Sequence, residues 1–417
     1  MTKTITLLAS GTRGDVQPYL ALGIGLRDAG YAVRVATHKN FVAQVEQYRL
    51  SPAALADNPS DLFARPGGED ALRFSGNWGR NLRATLQYWR DAQPVLERLL
   101  VSAWEACQGS DVIVIGLPTI WGAHITEALG IPCIRCLLQP ITATGVFPSP
   151  LLPSTFSLGR TYNRLTHWVV SQVLWQSWRG VINRWRHTTL RLGRAPFFNR
   201  DCDALTLYGF SPHVVPRPAD WHSHHIITGY WVLPLTSDWT PPPDLVRFLD
   251  AGSPPVYIGF GSMAIGRPRE TLTMLTCALA ATGLRAVLMQ SPHSLNAPLP
   301  PTILPIAGVP HAWLFPQMAA VVHHGGAGTT GTSLRAGTPT VITPYAVDQF
   351  FWGARVAALG AGPKPIPLHA LMADELAQAL RQATQDFEIK LRAQLLARAM
   401  AKEDGVLRAV EAIRAWS

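Results

Sequence analysis

The stretch AAVVHHGGAGTT, residues 319–330, joins a short apolar run to a glycine-rich turn and indicates the fold class. A strand that ends in such a turn and leads into a helix is the repeating unit of parallel α/β sheets. Glycine lets the backbone approach a ligand closely, and the first N–H groups of a helix lack partners and attract anions. Together with the side chain of His324, these groups form a predicted cradle for a diphosphate.

A polar pair, Asp348-Gln349, follows the next predicted strand, residues 340–343. A carboxylate accepts hydrogen bonds and a carboxamide both donates and accepts them, so the pair can contact several neighbouring hydroxyls. A diphosphate cradle beside a pair that binds hydroxyls suggests a nucleotide sugar as the ligand.

The same alternation of strand and helix patterns extends through the rest of the chain. Short apolar runs predict buried parallel strands at residues 5–9, 31–37, 111–116, 131–138, 256–260, 285–290, 319–323 and 340–343. After the first strand we predict a loop over residues 10–17 and a helix over residues 18–29. The fold class is therefore α/β, with doubly wound sheets.

A length of 417 residues favours two domains of about 200 residues each. A proline-rich passage that includes Pro241-Pro242-Pro243 separates the two halves. We predict an N-terminal Rossmann-like domain over residues 1–215, a linker over 216–243 and a C-terminal Rossmann-like domain over 244–417, whose last helix can pack back on the N-terminal domain. Ligands bind at the carboxyl ends of the strands in such sheets, so the site is expected in the cleft.

Composition excludes several classes of protein. Hydrophobic residues make up 47% of the chain and charged residues 15%, so large cores can form and wholesale disorder is excluded. The five cysteines are an odd number in a long chain, which favours a reducing cytoplasm over a disulfide scaffold. The sequence has no recognisable signal peptide and no apolar run of the roughly 20 residues that a spanning helix needs. We therefore expect a cytoplasmic protein.

Small polar groups follow consecutive predicted strands of the C-terminal half. Ser262 offers a hydroxyl to a phosphate, and the segment 308–311, with Val309 and His311, offers backbone groups to a base. The glycine-rich turn and the acid–amide pair complete the set. Because the carboxyl ends of parallel strands lie at one edge of a sheet, we predict that the four groups line one site.

The N-terminal half contributes the loop GTRGDVQP, residues 11–18. It lacks the Gly-x-Gly-x-x-Gly pattern of dinucleotide-binding proteins. Asp15 in this loop has two interpretations, and the spacing leaves both open. It can face the cleft and take a proton from an attacking hydroxyl as a general base, or it can cap the following helix.

Motifs in both halves resemble those of the GT-B nucleotide-sugar glycosyltransferases, in particular the sterol 3-beta-glucosyltransferase-like and antibiotic glycosyltransferase-like group. The motifs are GDVQP at 14–18, GFSP at 209–212, GSM at 261–263, VPHAWLF at 309–315, the turn after His324 and the pair Asp348-Gln349. The resemblance covers nearly the whole chain and implies two Rossmann-like domains that face each other across a cleft.

This resemblance implies a role for each candidate residue. Asp15 corresponds to the presumed catalytic base, and Asp348 and Gln349 to the pair that contacts the sugar hydroxyls, typically those of glucose. The positions that match nucleotide-binding residues are Ser262, Val309, His311, His324, Gly326, Gly328 and Thr329. The implied reaction is a single displacement with inversion at the anomeric carbon, and it needs no metal or other cofactor.

One position departs from the pattern of the plant relatives in this superfamily. Thr332 occupies the place where they have a ribose-binding glutamate, which leaves UDP and dTDP both open as the nucleotide. We expect UDP-glucose as the donor and a sterol, terpenoid or polyketide as the apolar acceptor. Two alternatives remain: a nucleotide-sugar 2-epimerase of the same fold, and a non-catalytic sugar-nucleotide-binding protein.

A basic, tryptophan-rich segment at residues 158–192 requires a local explanation. Nine arginines and no acidic residue lie between Glu127 and Asp201. On a helix, four tryptophans of the segment fall within an arc of about 100°: Trp168, Trp175, Trp178 and Trp185. The helix can pack them on the core, or it can contact an anionic membrane or a lipid acceptor, with Arg184 and Arg186 among the contacts. Nucleic acid is not expected, because no recognised binding motif accompanies the charge.

Two other patterns resemble metal sites only in part. Asp201-Cys202-Asp203 has the Asp-x-Asp spacing, and His222, His224 and His225 form a cluster. Neither has the further ligands at suitable spacing that a metal site needs, so we expect no metal.

Overall fold

The computed structural model describes residues 2–58, 78–153, 155–199, 204–236, 239–260, 268–290 and 298–416. These residues form two parallel sheets, one of seven strands and one of five. The strands of the first sheet are β1 (Thr4–Leu8), β2 (Ala32–His38), β3 (Ser51–Leu55), β4 (Val112–Ile115), β5 (Cys133–Leu137), β6 (Thr206–Tyr208) and β7 (His225–Ile227). Those of the second are β8 (Val256–Gly259), β9 (Ala286–Met289), β10 (Ile303–Ile306), β11 (Ala320–His323) and β12 (Thr340–Ile342).

Helices connect the strands and cover the sheets. In the first half they are α1 (Arg13–Asp28), α2 (Val42–Gln47), α3 (Trp78–Ala106), α4 (Ala123–Leu129) and α5 (Arg160–Thr188). In the second half they are α6 (Pro243–Asp250), α7 (Pro268–Thr282), α8 (His311–Leu314), α9 (Ala327–Arg335), α10 (Gln349–Ala358), α11 (Ala373–Gln385), α12 (Phe387–Met400) and α13 (Gly405–Trp416). No helix among the described residues is both long enough and apolar enough to cross a membrane.

Both sheets have the doubly wound strand order, which fixes the place of the site. The first sheet runs β3-β2-β1-β4-β5-β6-β7 and the second β10-β9-β8-β11-β12. In the first sheet, Ile5 of β1 pairs with Val33 on one side and with Val112 on the other. The chain order reverses beside β1 and beside β8, and the loops that leave these points open a crevice for ligands. The predicted fold class, α/β with two doubly wound sheets, is confirmed.

The C-terminal helices pack on the N-terminal half rather than on their own sheet alone. One continuous buried cluster contains Leu7 and Tyr208 from the first sheet together with Trp352 of α10 and Val410 of α13. A Cβ atom on Gly25 of α1 would lie 2.3 Å from a methyl carbon of Val406, so glycine is needed where α1 meets α13. The last helix therefore lies against the first.

The helix predicted over residues 18–29 begins earlier, at Arg13, so the prediction of a loop over residues 10–17 is wrong for residues 13–17. The reason is a cap that Thr12 and Asp15 form with each other. Thr12 donates its backbone N–H and its hydroxyl to Asp15 Oδ2, each at 2.8 Å. This exchange stabilises the first turn despite Gly14 and Pro18.

The passage predicted as a linker, residues 216–243, contains β7. β7 pairs with β6, with His225 opposite Thr206. Its residues, His225-Ile226-Ile227, are a short apolar run that extends the buried sheet. The first sheet thus continues past residue 215, and α6 starts at Pro243.

Candidate functional site

The carboxyl ends of the two sheets face each other, and side chains from the two halves meet there. The guanidinium of Arg13, on α1, lies against Gly308, such that a Cβ atom on that glycine would be 3.3 Å from Arg13 Nη1. Gln139, in the loop after β5, donates a hydrogen bond to the Asp348 carboxylate. The rings of Phe147 and Phe351 are 5.4 Å apart. The cleft predicted from the strand order therefore contains residues of both halves.

Asp15 lies partly buried at the N-terminal side of this cleft. Its Oδ2 accepts both hydrogen bonds from Thr12, which leaves Oδ1 available to a ligand. Burial raises the pKa of Asp15, and the two bonds from Thr12 partly offset this shift. The sequence left open whether Asp15 caps the helix or faces the cleft, and the geometry allows one carboxylate to do both.

A buried network holds the turn that precedes Asp15. His38, at the end of β2, accepts from the N–H of Gly11 at 3.3 Å and contacts Ser10 Oγ at 2.8 Å through the same Nε2 atom. Burial lowers the pKa of His38 to about 4, so the ring is neutral and can accept. Asn58 donates to the carbonyl of Gly11 at 2.8 Å. Neither His38 nor Asn58 was predicted from the sequence, although His38 ends β2 and Asn58 follows β3.

On the other side of the cleft, the glycine-rich turn leads directly into α9, as predicted. Gly326 is the N-cap residue, and Gly328 and Thr329 lie in the first turn with partial exposure. Gly325 has φ of +96°, and a Cβ atom there would lie 2.8 Å from a methyl carbon of Ile342. Its N–H donates to His323 Nδ1 at 3.0 Å. This arrangement leaves the first N–H groups of α9 directed into the cleft, where an anion can bind.

His324 stands beside the start of α9. A Cβ atom on Gly326 would be 2.7 Å from His324 Nε2, which shows how closely the imidazole lies against the turn. Burial lowers its pKa to about 4, so the ring is neutral at physiological pH. Within the described part of the chain, His324 Nδ1 is buried without a hydrogen-bond partner. A buried polar atom without a partner at a cleft is a ready contact for a ligand.

The segment predicted to contact the base is divided between core and cleft. The Val309 side chain is buried in a cluster with Leu314 and Phe315, so only its backbone can reach a ligand. His311 stacks on Phe315 with ring centroids 4.5 Å apart, and its Nε2 is 3.0 Å from the Tyr257 hydroxyl. Burial, and then the charge of Arg13, lower the pKa of His311 to about 4.

Asp348 and Gln349 lie where α10 begins. Trp352 donates from its indole N–H to Asp348 Oδ2 at 2.9 Å. Gln349 is buried, and its Oε1 accepts from the N–H groups of Tyr345 and Ala346 at 2.9 and 3.1 Å. The amide oxygen of Gln349 therefore fixes the turn, and its amino group is the part that remains for a ligand.

The predicted residues thus occupy one cleft in the described part of the chain. Asp15 is on the N-terminal side, and His324, Gly326, Gly328, Thr329, Asp348 and Gln349 are on the other side, with the backbone at Val309 and His311. Ser262 lies outside the described residues, so its predicted phosphate contact stays a prediction.

Two family models match the chain. The model of the glycosyltransferase family 28 N-terminal domain matches residues 5–148, and that of the erythromycin biosynthesis protein CIII-like C-terminal domain matches residues 284–411. Sterol 3-beta-glucosyltransferases are similar over nearly all of the chain: that of Yarrowia lipolytica is 38% identical and that of Cryptococcus neoformans 37% identical, each over 98% of the chain. The chain has the fold of the GT-B glycosyltransferases and is similar to them in both halves. It spans less than a third of the length of these two relatives, 28% and 27%.

Solved structures of glycosyltransferases share the fold. The glycosyltransferase of kitacinnamycin has a TM-score of 0.69 at 20% identity and covers 99% of both chains. SnogD from Streptomyces nogalater has a TM-score of 0.63 at 18% identity and covers 100% of both chains. The resemblance to sterol and antibiotic glycosyltransferases that the motifs predicted is confirmed.

Arg13 is a residue of the cleft that was not predicted from the sequence. Two groups of the second half feel its positive charge: burial raises the pKa of Tyr257 and Arg13 opposes that rise, whereas burial lowers the pKa of His311 and Arg13 lowers it further. When the Gln17 amide is oriented so that its oxygen and its nitrogen both have suitable hydrogen-bond partners, the oxygen accepts from Arg13 Nε at 2.9 Å. The signal was its position two residues before Asp15, at the start of a helix that borders the cleft.

The structure resolves the two interpretations of the basic segment residue by residue. Trp185 is buried, and Trp175 and Trp178 pack on the core of the first half, as the first interpretation predicts. Arg186 is buried, with Nη2 donating to Glu127 Oε1 at 2.9 Å and Nε donating to the carbonyl of Gly193 at 2.8 Å.

The hypothesis that Arg184 and Arg186 contact a membrane is therefore wrong for Arg186, because its guanidinium is fixed inside the protein. Arg184 is exposed but forms an ion pair with Glu97 at 2.7 Å. Trp168 differs from the buried Trp185, since half of its surface faces solvent.

Among the described residues, no group of three or more His, Cys, Asp or Glu side chains is arranged to hold a metal ion. His222 and His224 stack with ring centroids 5.5 Å apart, beside His225 at the start of β7. Asp201 and Asp203 lie outside the described residues.

Proposed function

We propose that the chain transfers glucose from UDP-glucose to the hydroxyl of an apolar acceptor, with a sterol as the first candidate. The observation that carries the proposal is the position of Asp15 opposite Asp348 across one cleft, each at the carboxyl end of its own sheet. The names of the similar sterol 3-beta-glucosyltransferases support the sugar and the acceptor class. We further propose that the reaction takes place in the cytoplasm.

The donor diphosphate would bind at the start of α9. The N–H groups of the first turn and the unpartnered Nδ1 of His324 provide hydrogen-bonding groups, and Arg13 provides a full positive charge from the opposite side. A guanidinium that meets a diphosphate can neutralise charge as it develops on the leaving group. These groups support our proposal that no metal is required.

Asp348 and Gln349 would contact the sugar. The carboxylate of Asp348 accepts from hydroxyls, and the amino group of Gln349 donates to them. Both side chains are held by the protein itself, through Trp352 and the turn at Tyr345. Fixed groups of this kind favour a fully hydroxylated hexose, because a deoxysugar would leave them unpaired.

The proposed chemistry is a single displacement. The acceptor hydroxyl gives its proton to the free oxygen of Asp15 while its own oxygen forms a bond to the anomeric carbon. The bond between that carbon and the diphosphate oxygen breaks on the opposite face, and UDP leaves with the electron pair. The configuration at the anomeric carbon is inverted.

An apolar cavity supports an apolar acceptor. It has a volume of about 190 Å³ and lies between the loop after β5 and α10. Its lining includes Phe147, Leu152, Phe351 and Ala354.

The identity of the nucleotide, UDP, is the most specific part of the proposal. Thr332 donates its hydroxyl to the carbonyl of Gly328 at 2.9 Å, within its own helix. The hydroxyl of Thr332, which stands in place of a ribose-binding glutamate, is thus already hydrogen-bonded to the backbone of its own helix.

The test is a screen of UDP-glucose, dTDP-glucose and UDP-galactose against sterol, triterpenoid and macrolide acceptors, with product stereochemistry read by NMR. A β-glucoside formed from UDP-glucose in the presence of a metal chelator supports the proposal. Release of a free 2-epimerised sugar nucleotide, or binding of UDP-glucose without any product, would indicate one of the two alternative functions instead.

A further inference from the structure

One face of α5 is apolar and open to solvent. Leu165, Val169 and Val173 follow one another at intervals of four residues and so form a row on the helix. Trp168 lies beside that row, and together the four side chains span an arc of about 140°. The exposed fractions are 51% for Trp168 and 57% for Val173. Side chains of this size are normally buried, so this face is unusual for a protein surface.

Neighbouring segments enlarge the same face. The ring of Phe198 is 6.2 Å from that of Trp168, and Phe197 is 5.0 Å from Phe198, both measured between centroids. Trp175 and Gln176 donate hydrogen bonds to the carbonyl of Phe197 at 3.0 and 2.6 Å, which holds this segment along the helix. More than half of each phenylalanine side chain is exposed. We call this surface the α5 apolar face: Leu165, Trp168, Val169, Val173, Phe197 and Phe198.

The charges around the α5 apolar face are positive. The guanidinium of Arg179 lies 4.6 Å from the centroid of the Phe197 ring, and its Nε bonds to the neutral Gln176. Arg160 and Arg194 are exposed near the two ends of the face in sequence. Asp220, Glu97 and Glu127 lie outside residues 128–200 and pair with three other arginines of α5: Arg164, Arg184 and Arg186. An apolar surface bordered by arginines is complementary to a bilayer with anionic headgroups.

The opposite side of the same helical turns holds the loop of the proposed acceptor cavity. Asn163 donates to the carbonyl of Gly145 at 2.9 Å, and Thr166 accepts from the N–H of Ser149 at 2.9 Å. The two ring nitrogens of His167 contact the carbonyls of Ile141 and Phe147, both at 3.2 Å. One short stretch of α5 thus has solvent-exposed apolar side chains on one side and the cavity loop on the other.

We propose that the α5 apolar face docks on the surface of an anionic lipid bilayer and brings the cavity loop next to a membrane-dissolved acceptor. This inference rests on the proposed function for the nature of the acceptor, but the docking itself does not depend on catalysis. It locates the predicted membrane contact on Trp168, Val173 and Phe198 instead of on Arg184 and Arg186. A second copy of the chain is the competing occupant of this face.

The experiment compares the full chain with the triple variant Trp168→Glu, Val173→Glu, Phe198→Glu. A matched control, Phe387→Glu, Leu395→Glu, Leu407→Glu, introduces the same charges at exposed apolar positions of the C-terminal helices. Sedimentation is measured with vesicles of phosphatidylcholine alone and of phosphatidylcholine with phosphatidylserine. We expect the wild type and the control to sediment with the anionic vesicles, and the face variant to bind at least about tenfold more weakly.

A second measurement keeps the docking and the proposed function apart. Transfer is assayed with the sterol embedded in the same vesicles and with the sterol delivered in solution by cyclodextrin. The face variant should lose transfer to the embedded sterol and keep transfer to the delivered one. Equal vesicle binding by wild type and face variant, or no binding by wild type, overturns the docking.

Light scattering completes the test. A dimer that the face variant dissociates would assign the surface to a second copy and also overturn the docking. Absence of transfer from both forms of sterol, with vesicle binding intact, would instead contradict the proposed function alone.

Discussion

Asp15 and Asp348 lie on opposite sides of the cleft and are electrostatically coupled, because burial first, and the carboxylate of Asp15 in addition, raise the pKa of Asp348. Burial is the larger cause, and together with the charge of Asp15 it brings the pKa of Asp348 to about 6, although hydrogen bonds from Trp352 and Gln139 oppose the shift. A proposed base and a proposed sugar-binding residue therefore influence each other's ionisation. Transfer of the acceptor proton to Asp15 would remove this repulsion during the reaction.

We predict that binding of UDP-glucose depends on pH through Asp348. The ionised carboxylate is the form that accepts from hydroxyls on all its lone pairs, so affinity should rise as pH increases through about 6. In Asp15→Asn the opposing charge is gone, and the transition should move to lower pH. Calorimetric titration of UDP-glucose, with UDP as the control ligand, measures both effects. A transition that stays in place in Asp15→Asn would contradict the coupling.

The same pKa shift predicts a stability effect of opposite sign. The pKa of Asp348 is raised by folding from 3.8 to about 6, so the folded state binds the proton more tightly than the unfolded state. Its contribution to the free energy of unfolding is therefore complete below pH 3.8 and is lost as the pH rises through about 6. Asp348→Asn should remove this dependence. Urea denaturation across that interval, in wild type and variant, checks it.

Asp15→Asn should separate catalysis from folding. The carboxamide can still accept from the N–H of Thr12 and hold the first turn of α1, whereas it cannot take up the acceptor proton. We expect kcat to fall by at least about a hundredfold with the affinity for UDP retained. Asp15→Ala should in addition lower the free energy of unfolding by about 1 kcal/mol, because the cap is lost. Transfer by Asp15→Asn at the wild-type rate would exclude Asp15 as the base.

Arg13→Ala should weaken UDP binding by about tenfold to a hundredfold, the usual effect of removing one charge-assisted hydrogen bond. Arg13→Lys should recover part of the loss, because the charge returns without the planar pair of donors. The arginine is exposed and projects from the first turn of α1, so neither change should alter the unfolding midpoint. Calorimetry at low and high salt separates the charge from other effects. Unchanged affinity in Arg13→Ala would remove Arg13 from the donor site.

Gly325→Ala tests the geometry of the diphosphate cradle. The backbone at this position has φ of +96° and the new methyl group would meet Ile342 at 2.8 Å, so we expect a loss of about 1–3 kcal/mol in unfolding free energy. Affinity for UDP should fall as well, since the start of α9 must shift. Gly180→Ala is the control, because nothing lies within 4 Å of its Cβ position in the exposed middle of α5. The control should be neutral or slightly stabilising.

The sequence predicted the sheets well because parallel strands buried on both faces read as short apolar runs. Residues 111–116 and 319–323 contain β4 and β11 for this reason. It failed at Arg13–Gln17, where the exchange between Thr12 and Asp15 outweighs the poor helix propensity of Gly14. It also missed β7, because three residues are too few to show a strand pattern and the strand is stabilised by pairing with β6.

Site residues on one sheet edge could be predicted together, because consecutive strands place them there. Contacts between the two halves could not, since they depend on how the sheets are oriented. Arg13 beside Gly308 and Gln139 beside Asp348 are such cases. The composition of residues 158–192 suggested a membrane contact, but only the helix orientation separates the buried Arg186 from the exposed Trp168.

The packing of α13 on α1 limits how this chain can be recombined with its relatives. An exchange of donor specificity by joining two parents near Pro243 would place the α13 of one parent on the α1 of the other, with Val406 against a residue that must remain as small as Gly25. Such hybrids would fail through misfit at a surface remote from the sugar. The misfit is avoided if a second junction is placed at Gly405, so that α13 comes from the same parent as α1. Only the donor-binding segment between the two junctions is then exchanged.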